Sequence, residues 1–311
     1  MDTPPLTTGP VAPDKVQSAL KGILFMLGAT LLAAVMNSAA RHVTQTVHPF
    51  ELVFFRNLFA FAFVLPMLWR FGFGALRTNR PWMHAGRASL NVVNMMVWFT
   101  AISLAPLAEV VALGFTAPIF ATILGVLIIK EVVGIRRWSA IIVGFAGALI
   151  VLQPGFDTIQ IGHGMTLFAS VIWAGILLII KSLSRTESSI TIVAYMAILM
   201  TPMSLIPALF VWAWPTWTEL AWLALIGVSG GAAQYLLAQS FHEADISVVM
   251  PFDFAKLVWI ALIAYIAFAE VPTLSTWLGG AIIFASGLYI ARRESLKRRE
   301  QKDISRPAQG E

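Results

Sequence analysis

The chain has 311 residues, 58% of them hydrophobic and 12% charged, with a mean hydropathy of +0.80 and a formal net charge of +5. Soluble domains are about a quarter charged, so this composition excludes an ordinary soluble fold and points to a polytopic membrane protein. The absence of cysteine excludes disulfides, thiolate catalysis and Cys-ligated metal centres, and the basic residues form no stripe that could track a nucleic acid.

Residues 1–18 open with a Pro- and Thr-rich stretch poor in large apolar side chains and are expected to form a disordered cytoplasmic tail. The first apolar span runs from Ala19 to Ala40 and is long enough to cross a hydrocarbon core of about 30 Å. Its length argues against a cleaved signal peptide, despite the small residues at Ser38-Ala39-Ala40. Further spans follow at Phe50–Trp69, Gly86–Leu104, Leu107–Ile129, Trp138–Leu152, Met165–Ile180, Thr191–Trp212, Leu220–Gln239, Ile246–Ala269 and Thr273–Ala291. This gives an all-α integral membrane fold of ten transmembrane helices, with 292–311 as a basic cytoplasmic tail.

Charge sets the orientation. With the N-terminus inside, all of the 21 Lys and Arg except Arg41, Arg56 and Lys256 fall in cytoplasmic segments, which places both termini in the cytoplasm by the positive-inside rule.

One helical hairpin occurs twice. Moving Ala105–Leu152 forward by 139 positions superposes Glu131 on Glu270, Val132 on Val271, Trp138 on Trp277, Phe145-Ala146 on Phe284-Ala285 and Leu149 on Leu288. The halves, 19–153 and 162–291, hold five spans each. Since five is odd, the second half enters the membrane from the opposite side, so the two are inverted repeats of the kind that supports alternating access.

The run Glu109-Val-Val-Ala-Leu-Gly-Phe-Thr-Ala-Pro118, the Lys130-Glu131 break, Trp138, Gly144-Phe-Ala-Gly147 and Leu152-Gln-Pro-Gly155 resemble the signature of EamA-type transporters of the drug/metabolite transporter superfamily. The resemblance implies ten spans in two inverted repeats and export of small metabolites from the bacterial cytoplasm through the inner membrane. Its general features are most like those of the amino-acid exporters, aromatic amino-acid exporters among them. Exporters of nucleosides or drugs are the alternative within the family. Glu131 and Glu270, the family's recognisable acidic position, sit at span ends and are read as clamps on the hairpin turns rather than proton carriers, and Trp138 and Trp277 as interfacial anchors.

Ionisable groups inside spans require a reason, since each costs roughly 2.5 kcal/mol or more to insert. Lys256, with Asp253 three positions earlier, is either a self-neutralising pair or a contact for a substrate carboxylate. Arg56 is a second candidate, with Glu51 in the same span able to offset it. Asn91, Asn94 and Trp98 share a stripe of the third span and suit a small zwitterion, or join helices by hydrogen bonds. Asn37, Trp173, Gln234 and Tyr235 are further candidates to line a central cavity between the halves, and Pro118 and Pro251 are candidate hinges.

No cofactor or metal is expected: the five histidines lie at loops or span ends without metal spacing, and no phosphate-binding Gly-rich loop is present. The expected partners are a small-molecule substrate and the lipid bilayer, with protons as a candidate coupling ion, no nucleic acid, and function as a monomer. A rival from another class, an intramembrane serine protease using Ser229 in Gly227-Val-Ser229-Gly230, lacks a histidine in a neighbouring span to act as base.

Overall fold

The computed structural model describes residues 13–71, 78–129, 135–152, 160–183, 186–187, 189–243, 249, 252–253, 255–269 and 271–304. They form eleven principal helices and no strand: α1 (Pro13–Val43), α2 (Pro49–Phe71), α3 (Pro81–Leu104), α4 (Leu107–Gly114), α5 (Ala117–Ile129), α6 (Ile135–Leu152), α7 (Ile161–Leu183), α8 (Ser189–Leu209), α9 (Trp217–Glu243), α10 (Ala255–Phe268) and α11 (Leu274–Ile304). The helix starts are written in the sequence. Proline is the first residue of α1, α2 and α3, where its missing N–H costs nothing. Thr216 and Glu219 cap α9 reciprocally: Thr216 N–H donates to Glu219 Oε2 at 2.8 Å, and Glu219 N–H donates to Thr216 Oγ1 at 3.3 Å.

Two boundaries differ from expectation at the chain ends. α1 starts at Pro13, so residues 13–18, expected in a disordered tail, are helical. α11 runs on to Ile304, carrying the helix into the basic tail. The fourth expected span is split into α4 and α5 around Phe115-Thr116. Pro118 has no N–H to donate to Gly114 O one turn back, and at the break the carbonyl of Leu113 accepts from Thr116 N–H at 2.9 Å and from Thr116 Oγ1 at 2.6 Å. Pro251 and the Glu131 and Glu270 turns lie outside the described residues.

The duplication extends to the helix boundaries. The same 139-residue shift carries the end of α3, Leu104, onto the end of α9, Glu243; the end of α5, Ile129, onto the end of α10, Phe268; and the start of α6, Ile135, onto the start of α11, Leu274. Packing follows suit. α1 lies along α9 and its counterpart α7 lies along α3, while α2 against α8 and α6 against α11 each pair a helix with its own counterpart. The α6–α11 contact recurs at the positions related by the shift. A Cβ on Gly279 would meet Gly147 O at 2.5 Å, and the pair related by the shift, Ala140 and Ser286, is joined by a hydrogen bond from Ser286 Oγ to Ala140 O. The halves are therefore related by a two-fold exchange, and α6 and α11 cross close to its axis.

Three helical stretches are long and apolar enough to cross a membrane by length and composition: Leu20–Val43, Leu107–Leu124 across α4 and α5, and Trp217–Leu237. Five more described helices contain shorter apolar stretches. Large apolar side chains cover the exterior, with Trp69, Trp82, Trp214 and Trp217 strongly exposed near helix ends, where indoles favour a membrane–water interface. The chain is a multi-pass membrane protein.

Candidate functional site

Polar side chains gather in the interior where α1, α2, α3, α8 and α9 meet. Arg56 on α2 is only 4% exposed. Its Nη1 donates to Asn57 Oδ1 at 3.0 Å and lies 3.7 Å from Met95 Sδ on α3, while Nε has no partner. Asn57 Nδ2 donates to Ser204 Oγ on α8 at 3.3 Å. α9 comes this close because it presents glycines: a Cβ on Gly227 would fall 2.9 Å from Arg56 O, and one on Gly230 would fall 2.7 Å from Met36 Sδ and 3.1 Å from Arg56 Nη2. A cavity of about 30 Å³ remains between Arg56, Asn57, Met196, Met200, Gly231 and Gln234. That is room for about one water, so a metabolite can enter only when the helices separate.

Asn37 and Trp98 form a second junction. Asn37 Nδ2 donates to Ala33 O at 2.8 Å, which turns Oδ1 inward to accept from Trp98 Nε1 at 3.0 Å. The indole lies flush against α4, because Gly114 has no side chain and a Cβ there would come 2.8 Å from the ring. Sequence reasoning put Asn91, Asn94 and Trp98 on one stripe, and the structure divides it. Asn91 faces α8, with Nδ2 at 3.5 Å and 3.4 Å from the sulfurs of Met196 and Met200. Trp98 faces α1. Asn94 Oδ1 is buried without a partner.

Lys256 links the halves. Its Nζ is 3.6 Å from Asp253 and 4.9 Å from the centroid of Phe115, which sits at the α4–α5 break of the first half. Asp253 was expected on the same helix face, but α10 begins at Ala255, so Asp253 lies in a short turn before it and Lys256 in its first turn. The pair sits beside the break, at the start of α10.

Two expected members sit apart. Tyr235 is 41% exposed on the outside of α9, since neighbouring helical positions are about 100° apart and Gln234 takes the inward direction. Trp173 is half-buried on α7. Ser229 Oγ donates to Leu225 O of its own helix at 2.5 Å, which leaves it unsuited to be a nucleophile. Glu51, expected to offset Arg56, instead accepts from Ala213 N–H at 3.0 Å.

Sequence reasoning missed two features. Arg87, counted there among the loop charges, is 7% exposed within α3: Nη1 donates to Ile192 O at 3.3 Å and Nη2 lies 3.6 Å from Met196 Sδ. Next to it His84 stacks on Tyr195 at 4.6 Å. The signal was available, since 84, 87 and 91 continue the stripe toward the start of α3 at helical spacing. The other feature is a bridge between the halves at the starts of α4 and α7, where His163 Nε2 is 2.7 Å from Glu109 Oε2. His163 Nδ1 accepts from Gln160 N–H at 3.2 Å, so Nε2 carries the proton that is donated to Glu109.

The family model described as the EamA-like transporter family matches this sequence twice, over residues 20–153 and 160–292. A riboflavin transporter of Vibrio cholerae is 36% identical over 292 residues, covering 92% of this chain and 98% of that protein. An S-adenosylmethionine uptake transporter of Rickettsia bellii is 32% identical over 283 residues, covering 90% and 97%. A solved crystal structure superposes with a TM-score of 0.61 at 19% identity, covering 91% of this chain and 98% of that one, a likeness of fold.

Proposed function

The chain belongs to the EamA-like transporter family of the drug/metabolite transporter superfamily, and from that premise we propose that it is a secondary carrier of the bacterial inner membrane for a planar nitrogen heterocycle of the riboflavin type, working in the direction of uptake. It is a transporter of small metabolites and not an enzyme. Near-full-length identity to a riboflavin transporter carries the substrate reading. The expectation of amino-acid export gains no specific support, because relatives are named for riboflavin, S-adenosylmethionine and pseudopaline.

The electrostatics favour the first of those two. The interior holds the buried guanidiniums of Arg56 and Arg87 on neutral partners, and the carboxylate of Asp253 is already engaged by Lys256. Such a centre repels a sulfonium cation and favours a neutral ring rich in acceptors. Ten spans in two inverted halves, with both termini cytoplasmic, allow the halves to exchange shapes about α6 and α11 and open the centre to each side in turn. The native sequence has no cysteine, so single cysteines placed at either terminus and in loops can be labelled without background; termini on opposite faces would end the inverted-repeat reading.

The deciding experiment is counterflow in proteoliposomes loaded with riboflavin, following labelled riboflavin, with growth rescue of a riboflavin auxotroph to give direction. Saturable exchange competed by riboflavin and not by amino acids is the expected result. Exchange of S-adenosylmethionine or amino acids alone would replace the substrate reading and leave the carrier in place.

A further inference from the structure

Resting on this substrate reading, we propose that Arg56 is the subsite that recognises the hydrogen-bond-acceptor edge of the transported ring, the row of carbonyl oxygens and imine nitrogens carried by a flavin-type heterocycle. Arg56 is 4% exposed, and its two partners are a neutral amide oxygen, Asn57 Oδ1 at 3.0 Å, and a thioether, Met95 Sδ at 3.7 Å. A thioether is a weak acceptor, and no carboxylate among the described residues pairs with this charge. Both contacts fall on Nη1. The other edge of the guanidinium, Nε and Nη2, donates no hydrogen bond among the described residues, and this is the edge whose parallel N–H groups match two acceptors side by side. A guanidinium reads an adjacent carbonyl and ring nitrogen on a nucleobase in this way.

In this structure α9 covers that edge, with Nε buried, and a separation of the helices uncovers it. It faces Gly230 of α9, where a Cβ would lie 3.1 Å from Nη2 and 3.2 Å from Nε, so a bare backbone forms the wall. The adjoining cavity of about 30 Å³ carries Asn57 and Gln234, two further amides for a polar ring edge. Methionines surround it: Met36 and Met95 reach the Gly230–Arg56 contact, and Met196 and Met200 line the cavity. Unbranched thioethers shift easily and pack well on flat rings, so a small cavity can widen around a planar ligand without breaking a rigid core. Charge, fork and thioethers together define a slot for a flat, acceptor-edged solute.

The test is direct binding to the purified full-length protein, read by quenching of flavin fluorescence. The probes are riboflavin and lumiflavin, which keeps the ring and lacks the ribityl chain. Arg56→Met is expected to raise Kd for both by about 10-fold or more, the usual scale for a lost charged hydrogen bond, and Arg56→Lys to raise it as well because the fork is gone. Thermal unfolding checks the fold of each variant, and if Arg56→Met does not fold, Arg56→Lys decides. Kd within twofold of wild type in a folded variant overturns the assignment. So does a loss confined to riboflavin, since Arg56 would then read the chain rather than the ring. Wild-type protein that binds neither flavin overturns the substrate reading along with the inference, whereas wild-type binding with indifferent Arg56 variants overturns the inference alone.

Discussion

Replacing Gly279 with alanine tests the close contact between α6 and α11. The added methyl would stand 2.5 Å from Gly147 O, 2.6 Å from Val151 Cγ2 and 2.9 Å from Val151 N. Two of the three obstacles are backbone of α6, which cannot swing aside as a side chain could, so α6 and α11 must part along their crossing. Overpacking of this kind costs about 1–3 kcal/mol. Alanine regains about 0.5–1 kcal/mol over glycine within a helix, leaving an expected net loss of up to about 2.5 kcal/mol, toward the upper end because two of the obstacles are backbone. Gly175→Ala in the middle of α7 is the control, since a Cβ there meets nothing within 4 Å and only the helix gain remains. Reversible unfolding in mixed detergent micelles should rank Gly175→Ala at or above wild type and Gly279→Ala well below. If Gly279→Ala matched wild type, or if both variants shifted equally, the close crossing would not be what holds α6 to α11. Because that crossing lies near the exchange axis, Gly279→Ala should also slow counterflow more than its stability loss explains.

Three further outcomes follow from the interior. Lys256→Met is expected to lower transport severalfold with little effect on folding, because it removes the contact to Phe115 at the α4–α5 break; full activity in counterflow would show that transport does not need this contact. Trp98→Phe deletes the hydrogen bond to Asn37 Oδ1 while keeping an aromatic ring against Gly114, and should cost about 1 kcal/mol of stability in the same unfolding assay. Glu109→Gln keeps an acceptor for His163 Nε2 and should be tolerated within about 1 kcal/mol, whereas His163→Ala leaves a partly buried carboxylate without its donor and should cost about 1–3 kcal/mol.

The helices were legible because each apolar run is long and bounded by proline, glycine or charge, and bilayer thickness fixes its length. Even the break in the fourth span was marked by Pro118. The side-chain partners were harder to read. Trp98 and Asn91 share a face by periodicity, yet the neighbours that separate them, α1 and α8, come from distant parts of the chain. Arg87 was counted with the cytoplasmic charges although it is the second residue of the span begun at Gly86, because an arginine at a span end looks interfacial until α8 is seen to cover it. The His163–Glu109 bridge joins residues 54 positions apart in different halves, which no local pattern encodes.

The duplication also separates what serves the fold from what serves the solute. A feature needed for the exchange of two half-shapes must be present in both, and several are: the acidic residues Glu131 and Glu270, and Trp138 and Trp277. The interior polar groups are present once. The 139-residue shift sets Arg56 against Tyr195, Asn91 against Gly230, Gly114 against Asp253 and Ala117 against Lys256. None of these pairs keeps its chemistry, although the helices carrying them keep their bounds. Exchange symmetry therefore accounts for the paired features and leaves the single ones unexplained. A buried guanidinium is costly in lipid and contributes nothing to that exchange. Its place opposite a glycine, in the half where no symmetry demands it, is what a group facing the solute would require.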